Sequence, residues 1–285
     1  HRPLLRGQRH MAVAGHYLAS QAALQILEAG GNAIDAGVAG GIVLGVVQSQ
    51  YVNVAGVAPI MVYLAAEKRV ETISGLGHWP RAVTPDLFQR DHGGHIPEGV
   101  LRTVVPAAPD AWITALARYG TMKFSEVAAA AIRFAAEGFV MYPHMAQIIA
   151  EQAEGYRRWP SSAAIYLPGG NPPRAGEIFV QTDLAASLQY MADEELGAAQ
   201  GGREAGLEAA RAAFYRGDIS VAILRYHREN GGLLSAEDLA DYRSAVEAPV
   251  RAAFEGIDVY TCGPWCQGPV LLQALSLLRA EELRA

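Results

Sequence analysis

The fold is decided by residues 18–64, which read LASQAALQILEAGGNAIDAGVAGGIVLGVVQSQYVNVAGVAPIMVYL. No Asp, Glu, Lys or Arg occurs from Ala36 to Ala66, so this stretch is either a membrane span or the centre of a core. A span needs about 20 predominantly apolar residues. The apolar run Ala36–Val47 has only 12, and polar residues follow it. We therefore expect a buried core helix and no membrane partner.

Two helices are predicted at the start of this stretch. Apolar residues at helical spacing favour a first helix over residues 19–29, which Gly30-Gly31 ends. Asn32 is the predicted N-cap of the second helix, with Asp35 at N3, where a carboxylate meets free backbone N–H groups. Small residues then recur every four positions at Ala33, Gly37, Gly41 and Gly45. Since glycine destabilises a helix by about 1 kcal/mol relative to alanine, this stripe predicts very close packing against a neighbouring backbone.

Strand patterns occur near both ends of the chain. The hairpin Ile60–Leu64 and Val70–Ser74 is predicted near the start, and strands at Ala248–Phe254 and Ile257–Thr261 near the end. We expect these strands to share one sheet in an α+β protein, with residues 1–285 forming a single domain. The other predicted elements are a strand at Val100–Val105 and helices at Pro109–Tyr119, Ser125–Glu137 (Ser125 as N-cap), Pro143–Gln152, Asp183–Asp193, Ala209–Tyr215, Ile219–Glu229, Leu239–Tyr242 and Val270–Leu278 (buried). Before Leu239, Ser235 is the predicted cap with Asp238 at N3, close to a capping box. Residues 155–177 are expected to form a long surface excursion, with an ordered lid as one interpretation, and residues 194–206 an exposed or mobile one.

The composition excludes several classes of function. The chain has 285 residues and a net charge of −6, without a basic patch, so we expect no nucleic-acid partner. Its two cysteines are too few for a disulfide framework. The opening HRPLLRGQRH lacks the apolar region of a signal peptide, so the cytoplasm is the expected location, with the periplasm as the alternative. No dinucleotide fingerprint, P-loop or H-E-x-x-H motif is present, and we predict no cofactor.

The residues alone offer one pocket-like loop but no nucleophile. Gly75–Pro80 follows the second strand and carries His78 and Trp79, which suit a small polar pocket. His92, His95 and Glu98 have passable metal-ligand spacing, but a solvated loop is favoured and we predict no metal. For Cys262 and Cys266, two small buried thiols are favoured, and a pocket-lining Cys266 is the alternative. No Ser occurs in a G-x-S-x-G context.

Several segments, in order along the chain, resemble the large subunit of the γ-glutamyltranspeptidase family. They are LASQAALQILEAGGNAIDAGVAGGIVLGVVQ, TPDLF, RTVVPAAPDAWITALARYGTMKFSEVAAAAIRFAAEGF, AFYRGDIS, ENGGLLSAEDLADYR and CGPWCQGPVLLQALSLL. The AGGNAIDA, RYGT and GGLLSAEDLADY blocks are the most specific of these.

The resemblance implies an N-terminal-nucleophile hydrolase. In this family a precursor cleaves itself, and the new N-terminal Thr of a small subunit is nucleophile and, through its α-amino group, base. The two subunits form a four-layer αββα sandwich. The present chain ends before such a Thr, so the resemblance implies a large subunit without a catalytic residue of its own, paired with a small subunit as a heterodimer or a dimer of heterodimers.

Departures from the family pattern bear on the substrate. The family has a D-G-R-E-like segment whose Arg pairs with the α-carboxylate of the γ-glutamyl group, and Leu76 stands at that position. The segments 51–56 and 264–269 also differ. The resemblance thus favours a hydrolase of small, oxamate-like amides. The candidate substrate-binding residues are Tyr51, Asn53, Leu76, His78, Trp79 and Cys266.

Two alternatives to the small-amide hydrolase stay open. A γ-glutamyl transpeptidase or hydrolase acting on glutathione-like substrates would need Arg81 or a small-subunit cation in place of the missing Arg. A non-catalytic ligand-binding homologue would be an uncleaved chain.

Overall fold

The computed structural model describes residues 4–278, which divide into two compact units. The first unit consists of residues 4–54 and 116–214, and the second of residues 55–115 and 215–278. Helices and short antiparallel strands occur together, so the predicted α+β class is confirmed. The single domain spanning 1–285 stays a prediction. Among the described residues, no helix is both long and apolar enough to cross a bilayer.

The first unit is mainly helical. Its helices are α1 (Tyr17–Glu28), α2 (Ala33–Val47), α5 (Phe124–Ala136), α6 (Pro143–Glu151), α7 (Ala153–Arg157), α8 (Pro160–Tyr166), α9 (Thr182–Gly197) and, up to its last residue, α10 (Arg203–Tyr215). The strands β3 (Phe139–Val140) and β4 (Ile178–Phe179) form an antiparallel pair. The surface excursion predicted at 155–177 lies mostly at the surface and is ordered, since α8 forms there and Tyr166 stacks on Tyr156 with ring centroids 4.6 Å apart.

Helix α2 is the centre of this unit, as the uncharged stretch predicts. It packs against α1 and α5, and its side chains on several faces are fully buried, including Ile42, Val43 and Val46. Asn32 and Asp35 form the predicted N-terminal cap as a reciprocal capping box.

The predicted close packing along the glycine stripe is only partly right. A Cβ at Gly45 would lie 3.0 Å from Cγ2 of Val54, and Gly40, outside the stripe, lies against α1. At Gly37, by contrast, a Cβ would have no neighbouring atom within 4 Å. Gly37 and Gly41 instead line an open groove of about 570 Å³, together with Leu27, Leu44 and residues 10–14.

A buried carboxylate replaces the N-cap predicted for α5. Glu195 of α9 is 2% exposed and accepts hydrogen bonds from the amides of Phe124 (2.6 Å) and Ser125 (2.7 Å). These are the first free N–H groups of α5, so Glu195 caps that helix from outside and Ser125 is not its N-cap. The segment 194–206, predicted as an exposed or mobile excursion, is exposed at most of its positions, and Glu195 is one of its two buried residues.

The second unit contains the remaining strands in two separate sheets. The sheet β1-β2-β5 consists of β1 (Ile60–Leu64), β2 (Arg69–Ile73) and β5 (Val246–Glu247), and β6 (Val250–Phe254) pairs with β7 (Ile257–Thr261). The predicted hairpin is confirmed, with Ile60 opposite Ile73. The single sheet predicted for the strands of both chain ends is wrong, because β6 and β7 form a sheet of their own and β2 pairs instead with β5, a short strand that was not predicted. The helices are α3 (Leu87–His92), α4 (Ala108–Tyr119, continuing into the first unit), α11 (Asp218–Glu229), α12 (Ala236–Ala240) and α13 (Gly268–Leu277).

Two further predictions fail in this unit. Val100–Val105 is not a strand: residues 100–102 form a 3₁₀ turn, and residues 103–105 belong to no helix or strand. Helix α13 occurs where predicted but is not buried, since Val270, Leu271 and Leu277 are at least half exposed and only Leu272 is buried.

Candidate functional site

The loop that follows β2 is held between two other segments of the second unit. The amide of Ala58 donates to the carbonyl oxygen of Gly75 (2.8 Å), and the amide of Val105 donates to that of His78 (2.8 Å). Gly75 has φ +50°, and a Cβ there would collide with the backbone of Ala58. The positions of Leu76 and His78 are therefore fixed through the main chain on both sides.

The segment after α11 holds the same loop from a third side. The hydroxyl of Tyr242 donates to the carbonyl oxygen of Leu76 at 3.1 Å. Asp238, which forms the capping box of α12 with Ser235 as predicted, accepts from the amide of Arg81 at 3.1 Å. Residues of the GGLLSAEDLADYR block thus position both ends of residues 76–81.

A buried polar network lies behind Tyr242. Asp110 is fully buried and accepts a 2.6 Å hydrogen bond from the amide of Ser244, whose hydroxyl is 3.3 Å from that of Tyr242. The amide of Asp110 donates to the hydroxyl of Tyr215, which in turn donates to the carbonyl oxygen of Pro106. Satisfied networks of this kind in a low dielectric are rigid, so the loop has a rigid support.

The predicted site residues on the loop differ in exposure. Leu76 is half-buried, whereas His78 and Trp79 are exposed. The His78 ring lies 5.6 Å from the ring of Tyr242, and Trp79 lies 5.6 Å from Phe88, as centroid distances. The loop therefore presents an aliphatic side chain, an imidazole and an indole, and residues 75–79 include no Asp, Glu, Lys or Arg.

Arg81 is engaged outside the loop. Its guanidinium lies 2.9 Å from a carboxylate oxygen of Asp241, and this hydrogen bond and charge raise the pKa of Arg81. Asp238 lies 3.9 Å from the same guanidinium. A role for Arg81 as the displaced substrate cation would require it to leave both carboxylates.

The loop containing Cys266 is anchored to the same sheet. The indole N–H of Trp265 donates to Oε1 of Glu247 at 2.9 Å. Glu247 of β5 pairs with Thr72 of β2, four residues before Leu76. The Trp265 side chain therefore ties the loop that carries Cys266 to β5, the strand that pairs with the strand leading to Leu76.

The remaining two predicted residues belong to the first unit. Tyr51 and Asn53 are both exposed, and the hydroxyl of Tyr51 lies 2.7 Å from Nε2 of His144. Their role in substrate binding stays a prediction.

Two other histidines, His16 and His92, have structural contacts. His16 is buried, caps α1 by accepting from the amide of Leu18, and stacks near Tyr17. Burial lowers its pKa, which favours the neutral ring. His92 lies against Phe88. Within residues 4–278, no group of three or more His, Cys, Asp and Glu side chains is arranged to hold a metal ion.

Replacing Gly77 by Ala tests how firmly the loop is held. A Cβ at this position would collide with the carbonyl oxygen of Val105, whose backbone is itself tied to His78. We expect a loss of about 2–3 kcal/mol in the free energy of unfolding and faster hydrogen exchange at the Val105 amide. Gly197→Ala is the control, because nothing lies within 4 Å of its Cβ position. Equal stability of the two variants would contradict the clamped loop.

Sequence reasoning did not identify the residues that position the loop. Tyr242 and Asp110 were not singled out, because their partners lie 166 and 134 positions away in the chain. The capping box at Ser235 and Asp238 was a local signal that this segment is ordered, but it did not reveal which loop the segment contacts.

Comparisons with known proteins agree with the motifs. Residues 19–285 match the family described as Gamma-glutamyltranspeptidase. The acylase ACY 1 proenzyme of Pseudomonas sp. (strain V22) is 34% identical over 98% of this chain and 49% of its own length. The glutathione hydrolase-like YwrD proenzyme of Bacillus subtilis is 31% identical over 95% of this chain and 49% of its own length.

A solved structure supports the same assignment. The γ-glutamyltranspeptidase of Helicobacter pylori superposes with a TM-score of 0.86 at 28% identity, covering 96% of this chain and 75% of the solved one. The chain spans about half the length of the curated relatives it matches. With the family match extending from residue 19 to residue 285 and the fold shared, the chain belongs to the γ-glutamyltranspeptidase family.

Proposed function

We propose that this chain is the large-subunit part of a self-processing amidohydrolase that acts on a small, oxamate-like amide. The observation that carries the substrate class is Leu76. It occupies the position where the family resemblance implies an Arg for the γ-glutamyl α-carboxylate, and its backbone is fixed by Tyr242 and the flanking hydrogen bonds. An aliphatic side chain there suits a substrate that lacks this carboxylate.

The proposed reaction is acyl transfer to the N-terminal Thr of the small subunit. The α-amino group of that Thr accepts the hydroxyl proton, and the oxygen attacks the amide carbon. The amine leaves as the proton is returned to it, and water then hydrolyses the acyl ester. In this scheme the present chain contributes no reacting atom. Its proposed role is to supply part of the pocket wall at Leu76, His78, Trp79 and Cys266.

Arg81 weighs against the glutathione-like alternative. To replace the missing Arg, it would have to give up its 2.9 Å contact with Asp241. Exchanging an existing ion pair for one with substrate gains little net free energy, since both are charge-assisted hydrogen bonds.

The names of two relatives support a second candidate function. One relative is named an acylase and another a glutathione hydrolase-like proenzyme, at similar identity to this chain. A γ-glutamyl hydrolase or transpeptidase in which a cation from the small subunit binds the carboxylate is therefore the alternative.

Apolar surfaces in each unit support the proposed small-subunit partner. In the second unit, β1 is the edge of its sheet and exposes Met61 and Tyr63, and α13 exposes Leu271. In the first unit, the groove along Gly37 and Gly41 is also lined mainly by apolar residues. Unpaired edges and apolar patches of this kind mark interaction surfaces.

The test uses the purified full-length protein. Intact mass measurement should give two chains, the smaller beginning with Thr, and ammonia should be released from oxamate faster than the aniline is released from a γ-glutamyl anilide. Strong anilide turnover, accelerated by dipeptide acceptors and with little ammonia from oxamate, would instead establish the transpeptidase. A single uncleaved chain would refute both enzymatic functions.

A further inference from the structure

Cys262 and Cys266 lie at the two ends of one tight loop. The amide of Cys266 donates to the carbonyl oxygen of Gly263 at 3.2 Å, which closes a turn over Pro264 and Trp265. The chain then folds back, because a Cβ at Gly268 would lie 3.1 Å from the carbonyl oxygen of Cys262. The amide of the same Gly268 donates to Sγ of Cys266 at 3.3 Å, so both cysteines lie against one glycine, and both are half-exposed. The pair is therefore adjacent and accessible.

The two sulfur atoms have different surroundings. Sγ of Cys266 accepts a hydrogen bond from the amide of Gly268 at 3.3 Å, at the first residue of α13. A backbone N–H and a helix N-terminus stabilise negative charge on sulfur. Burial is the main cause that raises the pKa of Cys262, and the neighbouring Cys266 thiol is the second. Cys266 is thus the sulfur suited to attack an oxidant, and Cys262 is the sulfur suited to react second.

We propose that Cys262 and Cys266 are a redox-active pair that a peroxide converts into an intrachain disulfide. The thiolate of Cys266 attacks one oxygen of hydrogen peroxide, breaking the O–O bond. It becomes a sulfenic acid, and the departing hydroxide is protonated to water. The sulfur of Cys262 then attacks the Cys266 sulfur and displaces a second water. In sum, two thiols are oxidised and one peroxide is reduced, with one S–S bond formed and two water molecules released.

The position of the pair makes this bond reversible. The ring would close over only five residues, and both cysteines are half-exposed, so a reducing dithiol can reach the sulfur atoms. The disulfide would tie the end of β7 to the start of α13 and so fix the turn carrying Trp265, whose indole N–H is bonded to Glu247. This inference concerns the thiols of this chain and does not depend on the proposed amide substrate.

The experiment treats the purified full-length protein with hydrogen peroxide, alkylates the remaining thiols and maps them by peptide mass. Both cysteines fall in one tryptic peptide, since no Lys or Arg occurs between Arg251 and Arg279. We expect that peptide to lose two hydrogen atoms and to resist alkylation, and a dithiol reductant to restore both alkylation sites. Cys262→Ser is the matched variant. It should leave Cys266 to proceed to sulfinic or sulfonic acid, which the reductant does not reverse.

Two results would overturn the inference. One is full alkylation of both cysteines in the wild-type protein at peroxide concentrations that oxidise Cys266 in Cys262→Ser. The other is independent oxygen addition at each cysteine without the loss of two hydrogen atoms. Because the readout is mass, it is unaffected if the protein proves to have a different substrate.

Discussion

Replacing Leu76 by Arg in the full-length protein is expected to raise kcat/KM for a γ-glutamyl anilide by about ten-fold or more. A guanidinium at this position could pair with the substrate α-carboxylate, and a charged hydrogen bond contributes about 1.5–3 kcal/mol, or roughly 10- to 150-fold in rate. The backbone of residue 76 is held by Tyr242, Ala58 and Val105 through its neighbours, so the new side chain starts from a fixed point. Steady-state kinetics with the anilide and with oxamate measure the effect.

The control for this substitution is Leu76→Met, which keeps an apolar side chain of similar volume. We expect Leu76→Met to retain oxamate turnover and to gain no anilide activity. Leu76→Arg, in contrast, should lose part of its oxamate turnover. If the wild-type protein already uses the anilide well and Leu76→Arg leaves it unchanged, then a cation elsewhere binds the carboxylate. That result would favour the γ-glutamyl alternative.

Local chemistry in the sequence was sufficient to predict several elements. The capping boxes at Asn32 and Ser235 involve residues three apart, and both are present as predicted. The hairpin of β1 and β2 was predicted from β-branched residues around a short turn, with only its second strand shifted by one residue. In these cases the groups that stabilise the element are neighbours in the chain, so their pattern is visible without the fold.

The predictions that failed depend on distant partners. Val100–Val105 has the composition of a strand, but the amide of Val105 binds the loop at His78 rather than a ladder partner. Glu195 lies in a segment predicted to be exposed, and only the fold brings its carboxylate to the free amides of α5. The candidate site shows the same limit. The sequence indicated the loop with Leu76, but Tyr242, which supports it, lies 166 positions away, and Asp110 lies 134 positions from Ser244, its partner in the network behind Tyr242.

Asp35→Ala is expected to open the first unit around residue 121. Asp35 is fully buried in α2 and accepts hydrogen bonds from the amide of Asn32, the amide and hydroxyl of Thr121, and the amide of Met122, at 2.7–3.1 Å. The AGGNAIDA and RYGT blocks thus meet at this carboxylate. Removing this carboxylate leaves several buried donors without an acceptor and should lower the free energy of unfolding by about 3–5 kcal/mol. Hydrogen exchange at the Thr121 and Met122 amides should therefore accelerate by about 100-fold or more.

The same carboxylate predicts a loss of stability in acid. Burial alone would raise the pKa of Asp35, but the hydrogen bonds from Asn32, Thr121 and Met122 outweigh it and lower the pKa. A lowered folded-state pKa gives stability that is present above the unfolded value, near 4, and is lost as the pH falls through the folded value. Hydrogen exchange measured against pH should show this loss below about pH 4 in the wild-type protein and a flatter profile in Asp35→Asn.

The matched control is Asp183→Asn, which changes an exposed acid in the first turn of α9 and should keep the wild-type profile at Thr121. An unchanged acid profile in Asp35→Asn would show that the carboxylate is not what joins the two blocks.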